Sequence, residues 1–302
     1  MKPQIRIADT QFAHSGQGSY GAGDLQIPPA FFDWVRCDNP ISDLIVITEA
    51  SAHLVDTFSE KIKILLIIES PMINPDIYNK LSDKAFTDKF TYILTFSLDH
   101  IGMHQPMFYH FRLWDKFMYT PFGGCWLFPH EQKIYEKNLN VSIIASDKRA
   151  TPNHLLRHEV IAKLGDKIDG IFGRGYNTIK SKLEGLEKYR FHIVIENDSC
   201  NGMFSEKLID ALMAGCIVFY CGDKFIGKRF NLNAILCFET CDELEILFNK
   251  FGNKEYYDSQ QDAIKHNFDL AHLYSIPEDL IYTQLLKTLI NVQPHEHLYI
   301  RS

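Results

Sequence analysis

The chain has 302 residues, 46% hydrophobic and 23% charged. That is the composition of a globular protein, and it excludes a disordered chain, a collagen-like repeat or a heptad rod. Thirty-one Lys and Arg stand against 38 Asp and Glu, for a net charge of −7. This speaks against a nucleic-acid binder, which needs a Lys/Arg surplus to neutralise phosphates.

The length predicts two domains, each able to bury a core of its own. The seven cysteines are odd in number and form no C-x-x-C pair. They read as reduced thiols of an intracellular protein. Met1-Lys2-Pro3-Gln4 is not followed by an apolar signal segment, and apolar runs such as residues 64–68 are too short to span a bilayer. The expectation is a cytoplasmic protein without a transmembrane segment, with peripheral contact at a membrane surface left open.

Ile5-Arg6-Ile7 reads as a first strand. Gly16-Gln17-Gly18-Ser19-Tyr20-Gly21 fits the dinucleotide pattern G-x-G-x-x-G. Ala22-Gly23-Asp24 and Pro28-Pro29 follow it, where a dinucleotide site needs a helix, so the segment reads as a loop. Residues 44–48 and 61–68 are buried strands, with a helix over 50–60 between them. Pro71 forces the chain out of the second strand at Glu69-Ser70. Residues 92–96 are a third strand. Residues 100–126 are rich in aromatics without a period and read as loops packed on a cleft.

A second series opens at Val141, with a strand over 141–145, a polar loop, and a helix over 154–164 that ends at Gly165. Residues 169–175 give a short strand and a glycine turn. Residues 180–188 predict a charged helix and 191–195 a strand. Ser205 caps a helix over 206–214 that stops at Gly215, before a strand over 217–220. Helices over 241–251 and 278–291 complete the chain. The repeat is βαβ in both halves, which divides the chain into residues 1–140 and 141–302, with ligands at the carboxyl ends of the strands.

The segment 189–222 carries the most chemistry. A buried strand delivers Glu196 and Asn197 to its carboxyl end. A turn leads to a helix that opens with Ser205-Glu206-Lys207, whose free N–H groups and dipole favour an anion. Lys207 is a cation that the dipole disfavours, which fits an anionic ligand such as a diphosphate. Glu206 suits ribose hydroxyls. The plainer alternative is a capped surface helix with a solvated Lys207. His154 and His158 stand at i and i+4, but no third ligand is placed near them, so they read as a solvated helix face. Cys237 and Cys241 lack the rest of a zinc set, and His295-Glu296-His297 reads as an exposed end. Lys148 and Arg149 suit either a solvated loop or phosphate contacts.

This segment resembles the donor-binding motif of the α-1,3/4-fucosyltransferase family, glycosyltransferase family 10. The matching residues are Glu196-Asn197-Asp198, Met203-Phe204-Ser205-Glu206-Lys207, Asp210-Ala211, Ala214-Gly215 and Tyr220-Cys221-Gly222. Met203, Ser205 and Cys221 stand where the family has tyrosine, threonine and tryptophan. Ala145-Ser146-Asp147 with Leu156-Arg157-His158-Glu159 resembles the family's strand end and phosphate-binding arginine helix. Asp169-Gly170 with Gly173-Arg174-Gly175 resembles its glycine turn, and Ile68-Glu69-Ser70-Pro71 its acceptor-side glutamate.

The resemblance implies an α/β fold of GT-B type, two Rossmann-like domains facing a central cleft. It implies transfer of L-fucose from GDP-fucose to a glycan hydroxyl with inversion and without a metal or other cofactor. Glu69 is then the base. Arg157, Glu196, Asn197, Ser205, Glu206 and Lys207 bind the donor, and Lys148, Arg149, Arg174 and Met203 are further candidates. Another nucleotide sugar on the same scaffold, a non-catalytic glycan- or nucleotide-binding protein, and a nicotinamide oxidoreductase resting on residues 16–21 are the alternatives.

Overall fold

The computed structural model describes residues 1–10, 17–97, 113–114 and 116–291. The first half builds a seven-stranded sheet from β1 (Gln4–Ala8), β2 (Asp33–Val35), β3 (Leu44–Thr48), β4 (Ile62–Leu66), β5 (Tyr92–Thr95), β6 (Leu113–Trp114) and β7 (Phe117–Tyr119), in the order β2-β1-β3-β4-β5-β7-β6. Every neighbouring pair is parallel except β6 with β7. The second half builds a five-stranded, fully parallel sheet from β8 (Leu139–Ile144), β9 (Gly170–Phe172), β10 (Tyr189–Ile195), β11 (Ile217–Cys221) and β12 (Ile235–Cys237), in the order β12-β11-β10-β8-β9.

Parallel sheets need cover on both faces, which is why their strands are near-continuous apolar runs. Alternate residues of β3 serve two cores: Leu44 and Val46 join Ile5, Ile7 and Trp34, whereas Ile45 and Ile47 join Val55, Leu65 and Ile77. In β10, Phe191, Ile193 and Ile195 pack on one face and Val194 on the other.

Four helices matter for the second sheet. α3 (Pro152–Leu164) and α5 (Cys241–Phe251) supply Val160, Leu164, Leu244 and Phe248 to one face. α4 (Glu206–Met213) and α7 (Gln261–Ala271) supply Leu208, Leu212 and Ala271 to the other. In the first half, α1 (Pro75–Lys80) and α2 (Lys84–Thr87) are short, and α6 (Lys254–Ser259) links α5 to α7.

The end of the described chain returns to the first sheet. α8 (Pro277–Ile281), a π-helical turn over Tyr282–Leu286 and α9 (Lys287–Asn291) run on from one another, and Ile281, Leu285 and Leu286 enter the core with Ile5 and Trp34. At the start of this return, Glu278 is fully buried. It accepts hydrogen bonds from Ser19 Oγ (2.5 Å), the Tyr20 amide (2.6 Å) and Trp34 Nε1 (3.4 Å).

Two expected helices are tighter turns. Residues 50–60 form a 3-10 helix over Glu49–Thr57, and residues 180–188 form only the 3-10 turn Lys182–Gly185. In the second case the carbonyls that would continue the helix are taken: Ser142 Oγ donates to Gly185 O and Lys137 Nζ to Leu186 O. Residues 20–25 are 3-10 turns, as a loop reading requires, while Gly16 and residues 295–297 lie outside the described residues. So do Phe108, Tyr109 and Phe111 of the aromatic stretch, whose later part holds β7. Among the described residues no helix is long and apolar enough to cross a membrane. All seven cysteines are free.

Candidate active site

The strand ends of the two sheets share a cavity of about 470 Å³. Tyr20, Ile68, Glu69, Phe122 and Trp126 of the first half line it opposite residues that follow β8, β9 and β10. The two walls are tied together. Tyr119 OH donates to Gly202 O (2.8 Å), the Gly123 amide to Phe204 O (3.2 Å) and the Met72 amide to Asp198 Oδ2 (3.2 Å).

Glu69 lies three residues beyond Leu66, the last paired position of β4. Its own amide and that of Ile68 donate to the Glu49 carboxylate at 2.9 and 3.0 Å, and Tyr78 OH donates to its carbonyl at 2.9 Å. The backbone is therefore fixed, and the side chain is left to the cavity. Burial lifts its carboxyl above the ordinary carboxylate range; Glu206 adds to this, while Lys207 and Lys148 oppose it. Those three partners belong to the second half, so the charge of one wall faces the charge of the other.

The opposite wall is built on Ser205. Its side chain caps α4 by accepting from the Lys207 amide (3.3 Å). Glu196 in turn holds the cap: Ser205 N and Oγ donate to its two oxygens at 2.9 and 2.6 Å. Glu196 is fully buried, does not line the cavity and has both oxygens engaged. The structure makes it the anchor of the helix start. Lys207 Nζ lies 3.2 Å from Ser205 Oγ, 3.2 Å from Glu206 Oε1 and 3.8 Å from Glu196 Oε2. Burial alone would raise the Glu206 carboxyl, but Lys207 and Lys182 hold it down to about 2.

Arg157 is buried beneath this wall. Its Nε donates to Ile195 O at 3.0 Å, and Nη2 to the same carbonyl and to Asn197 Oδ1, the latter at 3.0 Å. Two nitrogens are thus committed to the end of β10. Nη1 has no partner among the described residues, and both Arg157 and Asn197 line the cavity. Lys148 and Arg174 also line it, with Arg174 held by Asp147 at 2.8 Å. Arg149 is exposed and lies off the cavity wall. Gly173 also lines it and approaches β8 so closely that a Cβ would fall 2.0 Å from Ala145 O, at a φ of +109°.

Met203 is 5% exposed and packs with Phe96 and Tyr119 of the first half. The residue that stands in place of the family's tyrosine therefore fills an apolar contact between the sheets. The histidine pair is a correction to the expectation of a solvated face. His154 is buried, and its Nδ1 accepts from the Thr151 amide at the start of α3. His158 accepts from Tyr176 OH and donates to Lys148 O. Both rings hold backbone or side-chain partners, and among the described residues no cluster of three His, Cys, Asp or Glu is placed to hold a metal.

Sequence reasoning missed several cavity residues. His192 lies in the floor; Ser142 donates elsewhere, to Gly185 O, and so accepts from His192 Nδ1 at 2.8 Å. Burial, with Lys182 and Lys137, pushes this imidazole down to about 3, so it is neutral at working pH. Lys182, Asp210 and Trp126 form a linked group beside Glu206. Trp126 had a signal as part of the aromatic stretch expected on a cleft, and Asp210 as part of the matched motif, whereas His192 and Lys182 had none.

No known family profile matches the chain. Over 115 residues, 38% of the chain, it is 40% identical to an α-(1,3)-fucosyltransferase of Helicobacter pylori, a match that spans 20% of that protein's length. Among solved structures, an α1,3-fucosyltransferase with GDP-fucose superposes with a TM-score of 0.55 at 16% identity, over 97% of this chain and 91% of the other. Sucrose-phosphate synthase of Thermosynechococcus elongatus superposes with a TM-score of 0.58 at 10% identity, over 96% and 99%. Two parallel sheets, helix-covered and facing across a shared cavity, define the chain as a GT-B fold. In sequence it resembles the fucosyltransferases in particular.

Proposed function

We propose that the chain is an inverting glycosyltransferase that moves L-fucose from GDP-fucose to a hydroxyl of a glycan. The observation that carries this is the pairing across one cavity. A carboxylate on a fixed backbone, Glu69, faces a capped helix start bearing Lys207, with Arg157 Nη1 and Lys148 on the same wall.

In this reading the acceptor oxygen attacks the anomeric carbon from the face opposite the diphosphate. The new C–O bond forms as the bond to the phosphate oxygen breaks. The leaving electron pair goes to the diphosphate, where Lys207, Lys148, Arg157 and the α4 amides offset its charge. The acceptor proton goes to Glu69. These cations do the electrostatic work, so the mechanism as drawn uses no metal or other cofactor. Attack from the opposite face inverts the carbon. Free thiols throughout agree with action in the cytoplasm.

A second reading keeps the scaffold and changes the donor. Met203 favours it, since it gives an apolar contact where the fucosyltransferase motif has a tyrosine hydroxyl. Thermal shift with a nucleotide panel separates the readings. GDP and GDP-fucose should raise the melting temperature of the full chain, and UDP, ADP and NAD should not. Stabilisation by UDP or ADP alone moves the assignment to another nucleotide sugar, and by NAD alone to an oxidoreductase.

A further inference from the structure

Two ammonium groups reach one oxygen of Glu206. Lys207 Nζ and Lys182 Nζ lie 3.2 and 3.4 Å from Oε1. Oε2 has no protein donor among the described residues and stays accessible from the cavity, although Glu206 is only 8% exposed. An ionised carboxylate oxygen in that position is an acceptor waiting for a hydroxyl.

The two lysines differ in how they are held. Lys207 rides on the first turn of α4. Lys182 comes from another segment and is seated from three sides. Its Nζ lies 2.8 Å from Asp210 Oδ2 and 4.1 Å from the centre of the Trp126 ring. The Trp126 amide donates to the other oxygen, Asp210 Oδ1, at 2.6 Å. The indole also packs on a glycine: a Cβ on Gly23, whose φ is +56°, would fall 2.8 Å from Trp126 Cε2. The chain Gly23–Trp126–Lys182–Glu206 thus runs from a turn of the first half to the helix start of the second.

We propose that Lys182 is a positioning residue for sugar recognition. It draws Oε1 of Glu206 aside so that Oε2 accepts a hydrogen bond from a hydroxyl of the sugar carried by the donor. Glu206 is among the charged groups that act on Glu69. Both carboxylates line the same cavity, and in this inference Glu206 faces the transferred sugar and not only the nucleotide. The inference rests on the reading that a nucleotide sugar fills the cavity.

The test compares the affinity of the full chain for GDP with that for GDP-fucose, by calorimetry, in wild type and Lys182→Met. Lys182→Met should leave GDP affinity within about twofold and weaken GDP-fucose about tenfold or more, the scale of one charge-assisted hydrogen bond. Because Lys182→Met strands the buried Asp210 carboxylate, Lys182→Met/Asp210→Asn is measured beside it, with the same expectation in a neutral, packed site. Lys182→Arg keeps the charge and should retain most of the sugar affinity. A full GDP-fucose advantage in both Met variants overturns the role of Lys182. Equal weakening of GDP and GDP-fucose overturns the sugar contact and moves Glu206 to the ribose. A wild type that binds neither rejects the proposed function, and this inference with it.

Discussion

Glu69 is the residue on which the chemistry turns. Its backbone is held by Glu49 and Tyr78, and its carboxylate looks across at Lys207, Lys148 and Glu206. Glu69→Gln preserves that shape and removes the base. Turnover should fall roughly 10²–10⁴-fold, while GDP affinity stays put. Near-normal turnover in a folded Gln variant would remove Glu69 from the mechanism. A base works only when ionised, and burial raises this one above its ordinary 4.5. Wild-type turnover should therefore fall as pH drops through that raised pKa, and the acidic limb should vanish in Glu69→Gln.

Lys207 and Arg157 separate at the same scale. Lys207→Ala should weaken GDP by about 1.5–3 kcal/mol and cost less stability than Arg157→Ala, because Lys207 is partly exposed and Lys182 still pairs the Glu206 carboxylate. Arg157→Ala should weaken GDP and also lower the melting temperature, since Ile195 O and Asn197 lose a buried partner. Equal stability in the two variants would contradict the second role of Arg157. The motif in the sequence marked both residues for the donor. It could not show that two guanidinium nitrogens are spent on the end of β10, nor that Glu196 serves the Ser205 cap. Those are matters of which neighbours a fold brings within 3 Å.

At the scale of elements, apolar runs and caps were sufficient wherever local sequence decides. The strand over Leu44–Thr48 and the helix over Cys241–Phe251 stand where periodicity and capping put them. The short strands Asp33–Val35 and Ile235–Cys237 have no such pattern, and their strand state comes from pairing with β1 and β11. Residues 180–188 have helical composition, yet tertiary bonds from Ser142 and Lys137 claim their carbonyls.

The return of α8 to the first sheet has a measurable signature. Burial pushes the Glu278 carboxyl up to about 7, despite the bonds from Ser19, Tyr20 and Trp34. Its unfolded value is near 4.5. Below 4.5 both states hold the proton. Between 4.5 and 7 only the folded state does, so stability falls as pH rises through that window, by roughly 3 kcal/mol from this group. Glu278→Gln should give a shallower fall in melting temperature between pH 5 and pH 8. Glu49, also raised to about 7, keeps part of the slope in the variant. Identical slopes in variant and wild type would show that Glu278 does not titrate in this range.

The described molecule is two parallel sheets whose strand ends open on one cavity, with residues 277–291 folded back across the first. The βαβ repeat predicted two halves with ligands at the carboxyl ends of the strands, and the cavity lies at those ends. It carried no information on how the halves face each other. The wall-to-wall contacts, Met203 on Tyr119 and Trp126 on Lys182, join residues that no local pattern connects. The account stands on what this assembled cavity turns over. The most direct measurement is GDP released by the full chain from GDP-fucose, with a mixed glycan acceptor pool and EDTA present. The account predicts GDP release that depends on acceptor and persists in EDTA, with UDP-sugars inert. Release from a UDP-sugar alone, no release from any nucleotide sugar, or release only after Mg²⁺ or Mn²⁺ is restored would contradict it.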